Sequence, residues 1–258
     1  MKGLLSEILR LAELEAPDST GRLARLLDAA KELEQLTLKP PSIDPPDYIA
    51  IDSGYIELKY RHTNLLLITI TKIDNKINNN VIIKKIERTN NNINRYVREL
   101  ELKSAAEEKG YVLVDGPLTP YIRSPIGYVI GVSKDPVAAR YWRSLGGKEA
   151  EWFKEISSLT SELYGAEILL QDKPRGTMLK PVDLGEFFAT YIKGDSVFYI
   201  EFPRYIPLEV ISSFFKYGYP IKLRLAHRYA KISRELLRSL RVLIPRFIDI
   251  QNRYREYL

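Results

Sequence analysis

Two segments of similar design constrain this chain most: YIAIDSG at residues 48–54 and YVLVDGP at 111–117. Each is an apolar run that terminates in an acid next to a glycine turn, and such a run reads as a buried strand of an α/β sheet. When strands of that kind end at one sheet edge, the acids at their C-terminal ends converge in the crevice where α/β folds bind ligands. Asp52 and Asp115 are therefore expected to share a cation, and an oxygen-only donor set suits Mg²⁺ or Mn²⁺. Asp beside Gly is also ordinary turn chemistry, so each segment taken alone fits a plain turn better than a metal site, and only the pair together balances the two readings.

The surrounding pattern places these strands in a mixed fold. Leu4, Leu5, Ile8, Leu9 and Leu11, then Leu23, Leu26, Leu27, Ala30 and Leu33, fall at helical spacing and predict an N-terminal helical hairpin broken at residues 17–19. Pro40, Pro41, Pro45 and Pro46 form an extended connector, which divides the chain into residues 1–44 and 45–258. Short β-rich runs follow: YIAID, YIELKY, NLLLITITKI, and VIIKKIE after an Asn-rich turn at 75–80. A helix over 94–109 ends at Gly110, and strands are expected at 111–115 and 127–133. Helices over 135–145 and 148–164, a strand near 166–171, and a hairpin of FFATYI and SVFYIEF around Lys193, Gly194 and Asp195 come next. Helices over 207–217 and 222–243 complete an α/β order: a mixed sheet covered by helices, with a helical hairpin before it and a basic helical segment after it.

Composition limits the chemistry. The 258 residues include no Cys and two His, His62 and His227, which excludes thiol nucleophiles, iron–sulfur clusters and multi-Cys/His zinc sites. No apolar run approaches the roughly 20 residues of a membrane span, and acids interrupt the first apolar segment, so a soluble, cytoplasmic chain is expected. Residues 222–258 hold ten Lys/Arg against three acids, a local charge of +7, whereas the rest of the chain sums to −1. A basic tail of that kind either tracks a polyanion or forms a solvated helix face.

Other candidates follow from position. A third carboxylate is expected on the helix before YVLVD, where Glu99, Glu101, Glu107 and Glu108 are available; Glu101 lies one turn from Ala105, and the choice between Glu101 and Glu99 stays open. Tyr219 precedes a helix that carries His227, with Arg224, Arg228 and Lys231 as electropositive neighbours suited to a phosphate. Lys134 ends IGVSK, and Glu201 and Arg204 lie in FYIEFPR.

IDSGY, the helix bearing Glu101, VDGPL, IGVSK, IEFPR and GYPIKLRLAH occur in the order seen in NurA nucleases of archaea and bacteria, which the chain resembles from about Tyr48 to Lys231. The resemblance implies an RNase H-like domain, a homodimer, and Mn²⁺-dependent cleavage of DNA, with Mg²⁺ as the alternative ion. It also implies work beside the hexameric HerA ATPase in DNA end resection and recombinational repair, with 5′–3′ exonuclease and single-strand endonuclease activity. Carried over by position, Asp52, Glu101 and Asp115 match the metal-binding acids, and Tyr219 and His227 the C-terminal pair of the active site. Lys134, Arg204, Arg224, Arg228 and Lys231 are expected to contact nucleic acid. The family's first motif usually reads Asp-Gly-Ser, whereas this chain has Asp52-Ser53-Gly54. Two rival classes remain: a catalytically silent DNA-binding adaptor of such an ATPase, and an actin-like or sugar-kinase-type ATP-binding protein, for which 14 Gly leave little room.

Overall fold

The computed structural model describes residues 21–22, 24–59, 64–86, 92–134, 140–240 and 242. In chain order its strands are β1 (Thr37–Leu38), β2 (Tyr48–Lys59), β3 (Asn64–Ile73), β4 (Ile77–Ile86), β5 (Tyr111–Asp115), β6 (Tyr128–Ser133), β7 (Met178–Leu179), β8 (Val182–Asp183), β9 (Phe187–Lys193) and β10 (Val197–Pro203). The helices are α1 (Ile93–Ala106), α2 (Gly147–Leu159), α3 (Glu162–Leu170), α4 (Leu208–Phe214) and α5 (Ile221–Ala230). The chain forms two compact units, one from residues 1–49 and 106–221 and the other from 50–105 and 222–258.

The first unit holds a mixed sheet flanked by helices. Its strand order is β1-β7-β9-β10-β6-β5, with β8 also paired to β9. β5 and β6 run parallel, and the other pairs are antiparallel. The hairpin of β9 and β10 forms where the alternation and Gly194 predict it, and its register pairs Val197 with Lys193. Alternate residues of β10 face opposite ways. Val197 and Tyr199 join a core with Trp152, Phe153 and Ile156 of α2 and Ala166, Leu169 and Leu170 of α3. On the other face Phe198 packs against Phe215 and Tyr219. The N-terminal 4–16 helix lies outside the described residues. Residues 24–29 are helical and tighten into a 3₁₀ helix, Ala30–Leu36, whose buried Ala30, Leu33 and Leu36 repeat every three residues as that geometry requires.

The strand expected near 166–171 is instead α3. An apolar run this short fits a buried strand or a buried helix equally by periodicity. Ser161 decides it: its Oγ accepts from Tyr164 N at 3.0 Å, capping a helix start. Of the helix expected over 135–145, residues 135–139 lie outside the described set and 142–144 form one 3₁₀ turn.

The second unit is an antiparallel meander, β2-β3-β4, with α1 and α5. β2 does not end at Asp52, as the glycine beside it predicted. YIAID and YIELKY form one strand through Ser53 and Gly54, which pair with Ile70 and Thr69. The Asn-rich turn is also shorter than expected: Asp74–Lys76 make the turn, and Asn78, Asn79 and Asn80 stay in the ladder of a mostly exposed β4. The helix expected over 222–243 breaks after Ala230, because Ser233 Oγ accepts from Leu236 N at 3.1 Å and starts a separate helix at 234–240. Residues 241 and 243–258, with four of the ten basic residues of the tail, lie outside the described residues.

Candidate metal centre

Gly54 explains how the contact between β2 and α5 assembles. A Cβ at this position would collide with the Ala230 carbonyl oxygen at the end of α5, so only glycine lets helix and strand approach this closely. Thr69 of β3 fastens the contact by donating its hydroxyl to the same oxygen. His227 lies one turn earlier on α5, and Asp52 two residues earlier on β2. Their side chains meet: His227 Nδ1 is 2.8 Å from Asp52 Oδ2. A carboxylate only accepts, so Nδ1 donates, and Nε2 is the ring nitrogen that this contact leaves for other chemistry.

Asp52 is 6% exposed, and its Oδ1 also accepts from Ser53 N at 2.8 Å. Ser53 Oγ donates to Glu101 Oε2, and Arg98, one turn earlier on α1, ion-pairs with Glu101 Oε1. The inward face of α1 comprises Val97, Arg98, Glu101, Leu102 and Ala105. Glu101 thus faces inward with Ala105, as its spacing predicts, while Glu99 turns outward to an exposed pair with Arg95. Ser53 and Arg98 were missed in the sequence. The Arg98/Glu101 spacing of three on a helix was the available signal.

In the other unit Asp115 ends β5, and Gly116 follows with φ +101°, the left-handed turn conformation that glycine permits. Tyr219 is buried before α5, its N–H bonded to Asp195 Oδ1 at 3.2 Å, and Lys134 Nζ stands 4.4 Å from its ring centroid. The cation–π contact brings two predicted site residues together. Arg204 is held elsewhere, by Asp183 and over the Phe188 ring. Arg224 and Arg228 are exposed on α5 at a spacing of four, and Lys231 follows it, also exposed. Carboxylate oxygens with an imidazole nitrogen fit a hard or borderline divalent cation such as Mn²⁺.

Fold and side chains define a mixed α/β protein in which a buried carboxylate meets a part-exposed imidazole. The chain belongs to the NurA family: the NurA domain model matches residues 46–232. No curated protein matches it. Among solved structures it resembles the NurA nuclease from Sulfolobus solfataricus, with TM-score 0.62 and 13% identity over 95% of this chain and 98% of that one. It also resembles NurA with manganese, with TM-score 0.54 and 12% identity over 90% and 97%. For NurA bound to dAMP and manganese the values are 0.50 and 12% over 95% of each chain. These likenesses carry the fold: the expected mixed sheet flanked by helices is the NurA fold. Among the described residues, no helix is long and apolar enough to cross a membrane.

Proposed function

We propose that the protein is a metal-dependent nuclease that hydrolyses phosphodiester bonds in DNA. The observation that carries this reading is the Asp52–His227 pair at 2.8 Å, backed through Ser53 by the buried Glu101. Asp52, Glu101 and Asp115, the acids that match the family's metal-binding positions, would supply carboxylate oxygens to one or two divalent ions, with Mn²⁺ favoured over Mg²⁺. Crystal structures of family members with manganese, and with dAMP and manganese, support that choice of ion and of a nucleotide substrate. An ion held there would supply Lewis acidity toward a water and offset charge on the phosphate.

The chain's own groups divide the remaining work. Ser53 and Arg98 fix the Glu101 rotamer, so the carboxylates do not reorganise during the reaction. His227 Nε2 orients the attacking water or returns a proton to the leaving oxygen, with Nδ1 anchored on Asp52. Lys134 and Tyr219 contact the phosphate, and Arg224, Arg228 and Lys231 draw the strand along α5. Arg204 supplies a further cation for nucleic acid.

The same reading includes 5′–3′ exonuclease and single-strand endonuclease action, a homodimer, and cytoplasmic work with a HerA-type hexameric ATPase in DNA end resection and recombinational repair. The test is cleavage of end-labelled single-stranded and duplex DNA in EDTA, Mg²⁺ or Mn²⁺. Metal-dependent products abolished by EDTA support the nuclease. No cleavage under any metal, even with a HerA-type ATPase added, replaces it with a silent DNA-binding adaptor.

A further inference from the structure

Glu201 is a fully buried carboxylate that the roles above do not use. It lies on β10 opposite Gly131 of β6, and Gly131 lies opposite Val114 of β5. Paired residues share a sheet face, so Glu201 points away from the face that Asp115 shares with Val132. Its oxygens nevertheless reach the segment directly after Asp115. Oε2 accepts from Leu118 N and Thr119 N, each at 2.7 Å, and Oε1 from Thr119 Oγ1 at 2.9 Å.

The segment reaches Glu201 because β6 has no side chain in its path. A Cβ on Gly131 would lie 2.6 Å from Gly116 O and 3.0 Å from Leu118 Cγ. Gly116 N, meanwhile, bonds back to Val132 O at 2.7 Å, so the turn is tied on both sides of the crossing. Two further donors lock the carboxylate: Arg140 Nη1 at 3.0 Å and Tyr199 OH at 2.8 Å. Arg140 also donates to Thr119 O and, at 2.5 Å, to Thr119 Oγ1. Burial and the adjoining Glu201 push the Tyr199 hydroxyl well above its ordinary range, so it remains a donor.

We infer that Glu201, with Arg140, is a positioning residue for the proposed metal centre: by holding the 116–119 turn across Gly131 it fixes where the carboxylate of Asp115 stands. This rests on the reading of Asp115 as a metal ligand. A buried carboxylate that accepts from two backbone N–H groups, two hydroxyls and a guanidinium exceeds what strand pairing needs to be stable, and it holds the turn that directly follows Asp115.

The test compares the full-length native protein with Glu201→Gln and Thr119→Val. The readouts are Mn²⁺ affinity by electron paramagnetic resonance of the free ion, and kcat and KM for single-stranded DNA. Glu201→Gln weakens Mn²⁺ binding about tenfold or more and lowers kcat, with KM for DNA within about twofold. Thr119→Val, which keeps the carboxylate and removes one donor, moves both in the same direction by less, and it decides the question if Glu201→Gln does not fold. Variants that bind Mn²⁺ and cleave like the native chain overturn the inference. So does a loss of thermal stability with Mn²⁺ affinity unchanged. A native chain that binds no Mn²⁺ is a separate outcome: it removes the metal reading of Asp115, and the role of Glu201 with it.

Discussion

His227 Nδ1 lies 2.8 Å from Asp52 Oδ2, so α5 orients an imidazole on a strand carboxylate 175 residues away. His227 is part-exposed, and Asp52 keeps its hydrogen bond from Ser53 N when the imidazole is removed. His227→Ala therefore keeps the fold and DNA affinity while kcat falls about 10²-fold or more, the size of a lost general acid–base group. Single-turnover cleavage alongside a DNA-binding titration measures the two separately.

Gly54 permits that orientation, so its substitution acts at a distance. Gly54→Ala places a methyl against Ala230 O and pushes α5 off β2. The expected cost is about 1–3 kcal/mol of stability, as for other overpacked contacts, with a fall in cleavage as His227 moves. Urea denaturation and cleavage assays of the same preparation check both.

Arg98 and Glu101 form an ion pair with side chains only 9% and 3% exposed. Arg98→Met strands a buried carboxylate and costs about 3–5 kcal/mol, whereas the double variant Arg98→Met/Glu101→Met recovers most of that loss. The exposed Arg95–Glu99 pair is the comparison: Glu99→Gln changes stability by about 0.5 kcal/mol or less. Urea midpoints of the four proteins, native included, read this directly.

Glu162 offers a pH test in the other unit. Burial raises its pKa above the ordinary 4.5, against hydrogen bonds from Tyr191 and the backbone of Tyr141 that lower it. Its Oε1 accepts from Tyr141 N and the Tyr191 hydroxyl, each at 2.9 Å, while Oε2 is buried with no partner among the described residues. A raised folded pKa means the folded chain holds this proton more tightly. The resulting stability is complete below about pH 4.5 and is lost as pH rises through the folded value. Glu162→Gln therefore has a higher thermal midpoint than the native chain at pH 8, and the difference shrinks toward pH 4. Melting curves across that range check the slope.

What the sequence made legible were elements whose cause is local. β5 and the β9–β10 hairpin follow from apolar runs bounded by acid and glycine, and the inward face of α1 from the spacing of Glu101 and Ala105. What it hid had remote causes. Gly54 reads as a turn but sits in a continuous strand, because the atom that requires it belongs to Ala230. α3 reads as a strand, since its half-buried face carries apolar Leu163 and Ile168 beside the buried Ala166, Leu169 and Leu170, which erases the 3.6-residue period that marks a helix. Asp52 and His227 were each legible as candidates from local context and the family motifs, but their contact was not, because nothing local ties β2 to α5.

The most direct measurement is Mn²⁺-dependent cleavage of single-stranded DNA by Asp52→Asn beside the native chain, with DNA affinity measured in parallel. Asn preserves the shape and can still accept from Ser53 N, but it removes the charge that holds a cation and anchors His227. Loss of cleavage with DNA affinity retained is the expected result. Cleavage at the native rate by Asp52→Asn contradicts a carboxylate–imidazole metal centre at this site.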